Sequence, residues 1–348
     1  MEHTALDQQD WSKPGVYPVA DDTYRIPLSM PNNGLRAVNV YLISDGDSHA
    51  LVDAGWSTDT SYAELTTALS TLGLRIGDLE TVMVTHVHHD HYSLAMRIRR
   101  ESGCKVMLGR GEEGTLTRVL EGTGRSLEAQ RSRLALCGAG EELVALDTMV
   151  ADGDPRAWVT DEFEPPDVWL DESEVVRVGR RSILSVPTPG HTRGHLCFLD
   201  RDARLAFTGD HVLPHITPSV GFEAVTNLQS LQDYLSSLRL SRTWGDLRLM
   251  PAHGPAEGAV GVRAAELLKH HEARLDEIAE TTRLDGPLSV YDIASRISWT
   301  GRRRPYEQLD EFNRIMACLE TLVHVELLDA RNVVVLDRTT GLAERVPA

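Results

Sequence analysis

The stretch Thr85-His86-Val87-His88-His89-Asp90-His91 places four histidines and an aspartate within seven residues. The six residues before it, Leu79-Glu80-Thr81-Val82-Met83-Val84, end in an apolar, β-branched run that predicts a buried strand. The histidines therefore follow a strand end, where reactive side chains are commonly held on a rigid support. Alternation in an extended segment divides the cluster between two faces, with His86, His88 and Asp90 on one and His91 on the other.

The side chains of this stretch predict a metal site. Imidazole and carboxylate groups together suit zinc, iron or manganese better than calcium or magnesium. The alternative is an ordinary run of surface histidines in an acidic protein. Motifs of matching chemistry elsewhere in the chain, each at a predicted strand end, favour the metal site.

The pattern His86-x-His88-x-Asp90-His91 resembles the signature of the metallo-β-lactamase superfamily. Further motifs resemble other signatures of that superfamily and occur in the expected order: Val52-Asp53-Ala54-Gly55, Pro189-Gly190-His191-Thr192-Arg193-Gly194-His195, Thr208-Gly209-Asp210-His211 and Pro251-Ala252-His253-Gly254. Their order makes the matches specific, where any one alone would be weak. The resemblance implies the fold of the superfamily, an α+β four-layer αββα sandwich.

The resemblance also implies how the motif residues hold two divalent metal ions. The first ion would be bound by three histidines: His86, His88 and His191. The second would be bound by Asp90, His91 and His253, and Asp210 would bridge the two ions. Asp53 would support the ligand loop by hydrogen bonding instead of binding metal. We expect zinc because the ligand set is rich in nitrogen, with iron or manganese as alternatives.

Such a pair of ions predicts a hydrolase that uses no side-chain nucleophile. Metal-bound water with a pKa near ~7 is available as hydroxide at neutral pH, and the chain has no Gly-x-Ser-x-Gly motif. We expect a bridging hydroxide to attack an ester-like carbonyl. Asp90 would orient the nucleophile or move its proton, and His211 or Tyr92 would assist the oxyanion or the leaving group.

The composition of the chain restricts the partners and the cellular compartment that we expect for this protein. With 35 Lys and Arg against 52 Asp and Glu, the net charge is −17, which disfavours binding to nucleic acid phosphates. The chain has no run of 18 apolar residues for a membrane span, and residues 1–10 lack the apolar segment of a signal peptide. The four cysteines form no Cys-x-x-Cys pair, so we expect reduced thiols and a cytoplasmic protein. A monomer and a homodimer both remain open.

The 348 residues suggest a catalytic domain over residues 1–260 and a smaller C-terminal domain over residues 261–348. Within the catalytic domain, residues 110–170 predict a helical insertion that lies over the metal site as a lid or, alternatively, covers the sheet elsewhere. The C-terminal residues predict helices over 257–284, 289–297 and 306–322. A hairpin of residues 325–328 with 333–336 would complete a unit that resembles a winged helix.

A winged helix and the run Arg302-Arg303-Arg304 suggest nucleic acid, but acidic residues oppose phosphate on the predicted recognition helix: Glu307, Asp310, Glu311 and Glu320. We therefore expect this unit to have a structural or pocket-closing role.

The first functional hypothesis is a metal-dependent hydrolase of a small acyl substrate: a thioester, a lactone or an ester. The second is a nuclease, which requires a basic groove. The insertion does not offer one, because glutamates offset its arginines: Glu112, Glu113, Glu121 and Glu128 against Arg110, Arg118, Arg125, Arg131 and Arg133. A non-hydrolytic iron-dependent relative with one metal ion, and a binding module with a vestigial site, are further alternatives. Hydrolysis of β-lactam antibiotics is disfavoured by the lack of a secretion signal.

Overall fold

The computed structural model describes residues 10–31, 34–122, 127–152, 163–299 and 303–346. Its first sheet contains, in sequence order, β1 (Tyr17–Ala20), β2 (Thr23–Ser29), β3 (Ala37–Asp45), β4 (Ser48–Val52), β5 (Thr81–Met83), β6 (Lys105–Gly109) and β7 (Val168–Leu170). Strands β1–β4 pair antiparallel, and β4–β7 pair parallel. The parallel pairs need crossover connections, which helices α1 (Asp59–Thr71) and α2 (His89–Ser102) provide. Strands β1 and β7 are additions to the strands expected from the sequence.

The second sheet has the order β12-β11-β10-β9-β8. Its strands are β8 (Val175–Val178), β9 (Arg181–Pro187), β10 (Leu196–Asp200), β11 (Leu205–Gly209) and β12 (Arg248–Pro251). Strand β10 is antiparallel to β9 and to β11, and β11 is parallel to β12. Consequently β9, β11 and β12 all run in one direction, and their carboxyl ends lie at the same edge.

Side-chain alternation along the strands produces the layers. On β3, Tyr41 and Ile43 belong to the core between the sheets, whereas Val40 and Leu42 belong to the core under the helices. On β10, Phe198 belongs to the core between the sheets and Leu199 to the core under the helices. Burial of successive residues on opposite faces is what a strand between two apolar layers requires. The four-layer arrangement expected from the motifs is observed, with helices outside two packed sheets.

The remaining helices of the catalytic part are α3 (Glu113–Leu120), α4 (Glu128–Cys137), α5 (Gly140–Ala151) and α6 (Ser230–Arg242). Helix α7 (Val260–Asp285) begins at the predicted domain boundary and leads into the C-terminal part. The predicted helical insertion therefore contains α3, α4 and α5. Part of its loops, with Arg125, lies outside the described residues, as does Arg302 of the basic run. A buried ion pair between Arg133 of α4 and Glu326 anchors the insertion to the C-terminal part of the chain. In the described portions, we find no helix that combines the length and the apolar character needed to cross a bilayer.

The C-terminal part contains β13 (Leu288–Ser289), α8 (Val290–Arg296), α9 (Glu311–Ala330), β14 (Val334–Leu336) and β15 (Leu342–Arg345), with the sheet order β13-β15-β14. The predicted strand 325–328 is wrong, because these residues form the end of α9. The hairpin is formed instead by β14 and β15. Periodicity misled here because residues 321–328 are buried on every side of the helix and leave no polar face to reveal a helical repeat.

Candidate metal centre

The motif between β5 and α2 is partly helical, contrary to the extended conformation assumed from the sequence. Helix α2 begins at His89, and His88 is its N-cap. Asp90 and His91 therefore lie in the first helical turn, while His86 and His88 precede it. A carboxylate in a first turn is favoured by the partial positive charge of the helix N-terminus. The turn, not strand alternation, aims the two halves of the motif in different directions.

Three histidines from two loops converge on one point. The His86 Nε2 atom lies 2.9 Å from His88 Nδ1, and His191 Nε2 lies 3.2 Å and 3.1 Å from these two atoms. Tetrahedral zinc with metal–nitrogen bonds of about 2.0–2.1 Å separates its ligand atoms by about 3.3 Å. The three nitrogens thus have the spacing that a single tetrahedral ion requires.

A second group combines two histidines with two carboxylates. The Oδ2 atom of Asp90 lies 3.2 Å from His253 Nε2 and 3.5 Å from His91 Nε2. Asp210 lies between the two groups, because its Oδ1 is 3.4 Å from His253 Nε2 while its Oδ2 is 3.6 Å from His191 Nε2. Each group forms a set able to hold a metal ion, and a third set combines His86, His91 and Asp210.

The partners of the imidazoles fix which nitrogen faces the centre. His191 Nδ1 donates to the Ser219 carbonyl at 2.6 Å, and His253 Nδ1 donates to the Ala37 carbonyl at 2.9 Å. His91 Nδ1 donates to Asp53 Oδ2 at 2.9 Å. Because Nδ1 of each ring donates to one of these acceptors, Nε2 is the atom that faces the centre and is available to a metal ion.

Asp53 has the supporting contacts that the family resemblance implies. Its Oδ1 accepts the Thr85 backbone N–H at 2.8 Å and the Thr85 hydroxyl at 2.9 Å, and its Oδ2 accepts from His91. The residue adopts a φ of 59°, a left-handed conformation that aspartate tolerates better than most residues. One carboxylate therefore orients both a candidate ligand and the start of the ligand loop.

The two groups differ in electrostatics. Burial, with additional repulsion from neighbouring histidines, lowers the pKa of His86 well below its ordinary value and that of His88 to about 3. Burial opposes protonation of His253 as well, but the charges of Asp210 and Asp90 raise its pKa to about 10. The first group is thus a set of neutral imidazoles, whereas in the second two carboxylates hold protons on neighbouring imidazoles, which a bound cation would displace.

Buried polar atoms that have no hydrogen-bond partner indicate that these residues fit a pair of metal ions. His91 Nε2, His253 Nε2 and Asp210 Oδ1 are buried without a hydrogen-bond partner among the described residues. A buried polar atom without a partner is costly unless something else satisfies it. Metal ions at the two groups would satisfy all three atoms and would match the nitrogen and oxygen donors present.

Two residues predicted to assist catalysis lie outside these groups. The Tyr92 hydroxyl donates to the Glu164 carbonyl at 2.7 Å, and its ring stacks on Phe163 at 5.8 Å. His211 Nε2 lies 2.8 Å from Ser241 Oγ, and burial lowers the pKa of its imidazole to about 3. Both side chains are fully buried. The structure therefore gives each a packing environment apart from the converging ligands.

Sequence reasoning assigned no role to several groups that hold the centre. His195 Nε2 accepts the Asp210 backbone N–H at 3.2 Å, and its Nδ1 lies 2.9 Å from Thr188 Oγ1. His195 is the last residue of the motif Pro189–His195, and its place in that motif could have revealed this role. The carbonyls of Ser219 and Phe222, which face His191 and His88, carried no signal because every residue has a carbonyl.

Residues 33–261 match the family model of the metallo-beta-lactamase superfamily. The chain belongs to this superfamily. Most members of the metallo-β-lactamase superfamily are metal-dependent hydrolases, in agreement with the two ligand groups found here.

Solved structures of superfamily members resemble nearly the whole chain. A metallo-beta-lactamase family protein from Thermus thermophilus is 28% identical with a TM-score of 0.78, over 94% of this chain and 100% of that one. A beta-lactamase domain protein from Burkholderia ambifaria is 25% identical with a TM-score of 0.76, over 95% and 94%. Because the family match ends at residue 261, this coverage shows that most of the C-terminal part recurs in these relatives.

Curated superfamily relatives are more distant. The Beta-lactamase-like protein 2 homolog of Caenorhabditis elegans is 22% identical over 263 residues, which is 76% of this chain and 71% of that protein. The Lactamase-like protein aptB of Emericella nidulans is 24% identical over 269 residues, which is 75% of this chain and 66% of that protein. The chain thus spans slightly less than two thirds of the latter.

Proposed function

We propose that this protein is a dinuclear-metal-dependent hydrolase of a small acyl substrate: a thioester, a lactone or an ester. The observation that carries the proposal is the convergence of seven donor residues from four chain segments, with Asp210 between a three-histidine group and a group of Asp90, His91 and His253. We propose zinc for both positions because five of the seven residues offer nitrogen.

When bound, two such ions supply an activated water and positive charge beside the scissile carbonyl. The five histidines would hold them through the ring nitrogens that face the centre, and Asp210, which lies between the two groups, would be shared by both. Asp90, whose side chain keeps 12% of its exposure, would orient the attacking water and accept its proton at a carboxylate oxygen. Asp53 keeps a proton on His91 Nδ1, so that Nε2 faces the centre.

The proposed substrate class rests on charge and on the C-terminal part. With a net charge of −17 the protein repels polyphosphate substrates, which favours a small acyl compound over a nucleic acid. The order α7–β13–α8–α9–β14–β15 and the sheet order β13-β15-β14 support a winged-helix-like unit. Helix α9 corresponds to the predicted recognition helix, and its residues 321–328 are buried against the rest of the protein, so we propose a structural role.

The proposal is tested on purified protein by metal analysis followed by hydrolysis of matched thioesters, lactones and phosphodiesters. We expect about two zinc equivalents, acyl hydrolysis that chelation abolishes, and a loss of at least about 100-fold in Asp210→Ala. Full turnover of Asp210→Ala with normal metal content contradicts the mechanism. Phosphodiester cleavage without acyl hydrolysis identifies a nuclease instead.

A further inference from the structure

Glu112 lies beneath both loops that supply the three-histidine group. It ends a 3-10 turn at Arg110–Glu112, directly after β6, and its side chain is fully buried. Its Oε1 accepts the hydroxyl proton of Thr192, the residue after His191. The backbone N–H of Val87, the residue between His86 and His88, faces the carboxyl and favours its charged form. One carboxyl therefore lies against two loops that are far apart in sequence.

Glycine contacts fix this turn against the His191 loop. A Cβ atom on Gly111 would lie 2.6 Å from Gly194 Cα and 2.7 Å from the Arg193 carbonyl oxygen, distances that real Cβ atoms do not adopt. A Cβ atom on Gly194 would in turn meet the backbone of Glu112. The two backbones are thus in direct contact. This backbone packing fixes the position of Glu112 relative to the His191 loop.

The carboxyl of Glu112 acts on the histidine loops through its hydrogen bonding more than through negative charge. Burial, and after it the charge of Glu223, raises the pKa of Glu112 to about 8. A carboxyl that keeps its proton at neutral pH adds little negative charge to the neighbouring imidazoles. The Glu112 Oε2 atom is buried without a hydrogen-bond partner in the described residues, so its burial is not explained by an ion pair.

We propose that Glu112 is a positioning residue for the three-histidine group: it fixes the distance between the loop of His86 and His88 and the loop of His191. This inference rests on the proposed function, because it assumes that these histidines bind a metal ion. It replaces the sequence-based view of Glu112 as one of the surface charges that offset the insertion arginines.

The experiment titrates cobalt(II) into chelator-treated protein and records the d–d spectrum and the affinity of each binding step. We expect Glu112→Ala to weaken one of the two steps by about 10–100-fold and to change its spectrum. Glu112→Gln, which keeps an acceptor oxygen for Thr192 at the same position, restores both. The matched control is Glu142→Ala, which removes a buried glutamate on α5 that binds Tyr306 and should leave both spectra unchanged.

If Glu112→Ala does not fold, a second pair of variants tests the positioning role of Glu112. Thr192→Val removes only the hydroxyl that donates to Glu112, at nearly constant volume, and should weaken the same step, whereas Thr192→Ser should restore it. Wild-type binding in folded Glu112→Ala and Thr192→Val overturns the inference while leaving the proposed function intact. Failure of the wild-type protein to bind cobalt contradicts the proposed function itself.

Discussion

At the scale of single residues, some groups that support the metal centre belong to a recognisable sequence motif and others do not. The supporting role of Asp53 was expected from its motif through the family resemblance, and its carboxylate accepts from Thr85 and His91 of the ligand loop. The acceptors for His191 and His88 are backbone carbonyls of Ser219 and Phe222, which no side-chain pattern marks. Glu112 was misinterpreted because burial of a charged residue is rare and depends on tertiary contacts.

Glu223 provides a prediction about pH. Burial raises the pKa of its carboxyl from 4.5 to about 7, with Asp233 adding to the shift and Arg193 opposing it. Between these values the folded protein keeps a proton that the unfolded chain has lost, so stability falls as the pH rises through this window and levels off above pH 7. Because one pKa unit corresponds to about 1.4 kcal/mol, the contribution is on the order of 1–3 kcal/mol.

We expect Glu223→Gln to flatten this dependence. Urea unfolding of the metal-free protein at pH 5 and pH 8 should show a smaller loss of unfolding free energy in the variant than in the wild type. Glu142→Gln is the control, since that carboxyl has a hydroxyl partner in Tyr306. Equal losses in wild type and Glu223→Gln would show that this carboxyl does not carry the proton.

At the scale of secondary-structure elements, prediction succeeded where composition or periodicity marks an element. The strand before His86 was predicted from its apolar, β-branched run, and helices α1 and α6 were predicted from a helical repeat. It failed at the end of α9, where burial on all sides removes the repeat. It also missed β7, whose three residues join the sheet through pairing with β6 that only the folded chain supplies.

The ion pair between α4 and α9 yields a prediction about how these elements are joined. Arg133 donates to both Glu326 oxygens, at 3.1 Å and 2.9 Å, and the side chains keep 9% and 1% of their exposure. Arg338 Nη1 lies 3.6 Å from Glu326 Oε1 and can partly replace Arg133. Glu326→Leu leaves a buried guanidinium unpaired and should cost about 3–5 kcal/mol. Arg133→Met should cost less.

A double-mutant cycle checks this asymmetry. In urea unfolding, the variant carrying both Arg133→Met and Glu326→Leu should be more stable than Glu326→Leu alone, because an apolar pair leaves no uncompensated charge. Additive losses would indicate that the pair is not coupled. Unchanged cobalt spectra in Arg133→Met would show that the anchoring of the insertion is separate from the metal centre.

At the scale of the whole molecule, charge and burial together decide between an acyl substrate and a nucleic acid. Ordinary non-specific DNA binding has a dissociation constant of about 10⁻⁴–10⁻⁶ M at physiological salt and depends on phosphate neutralisation. This chain carries a net charge of −17, and its α9 begins with exposed acidic residues: Glu307 just before it, Asp310 and Glu311. Its later turns are buried and cannot enter a groove.

We therefore expect no saturable binding of a fluorescein-labelled duplex at protein concentrations up to about 10 µM in anisotropy measurements at low salt. The control is a variant with Glu307→Lys and Glu311→Lys, which alters only exposed side chains and keeps Asp310, the N-cap of α9. If repulsion alone prevents binding, this variant gains weak, salt-sensitive affinity. If burial of α9 also prevents it, the variant stays inactive towards DNA. Salt-dependent binding by the wild-type protein would contradict both explanations and would favour phosphodiesters as substrates, since the C-terminal part would then deliver nucleic acid to the metal centre.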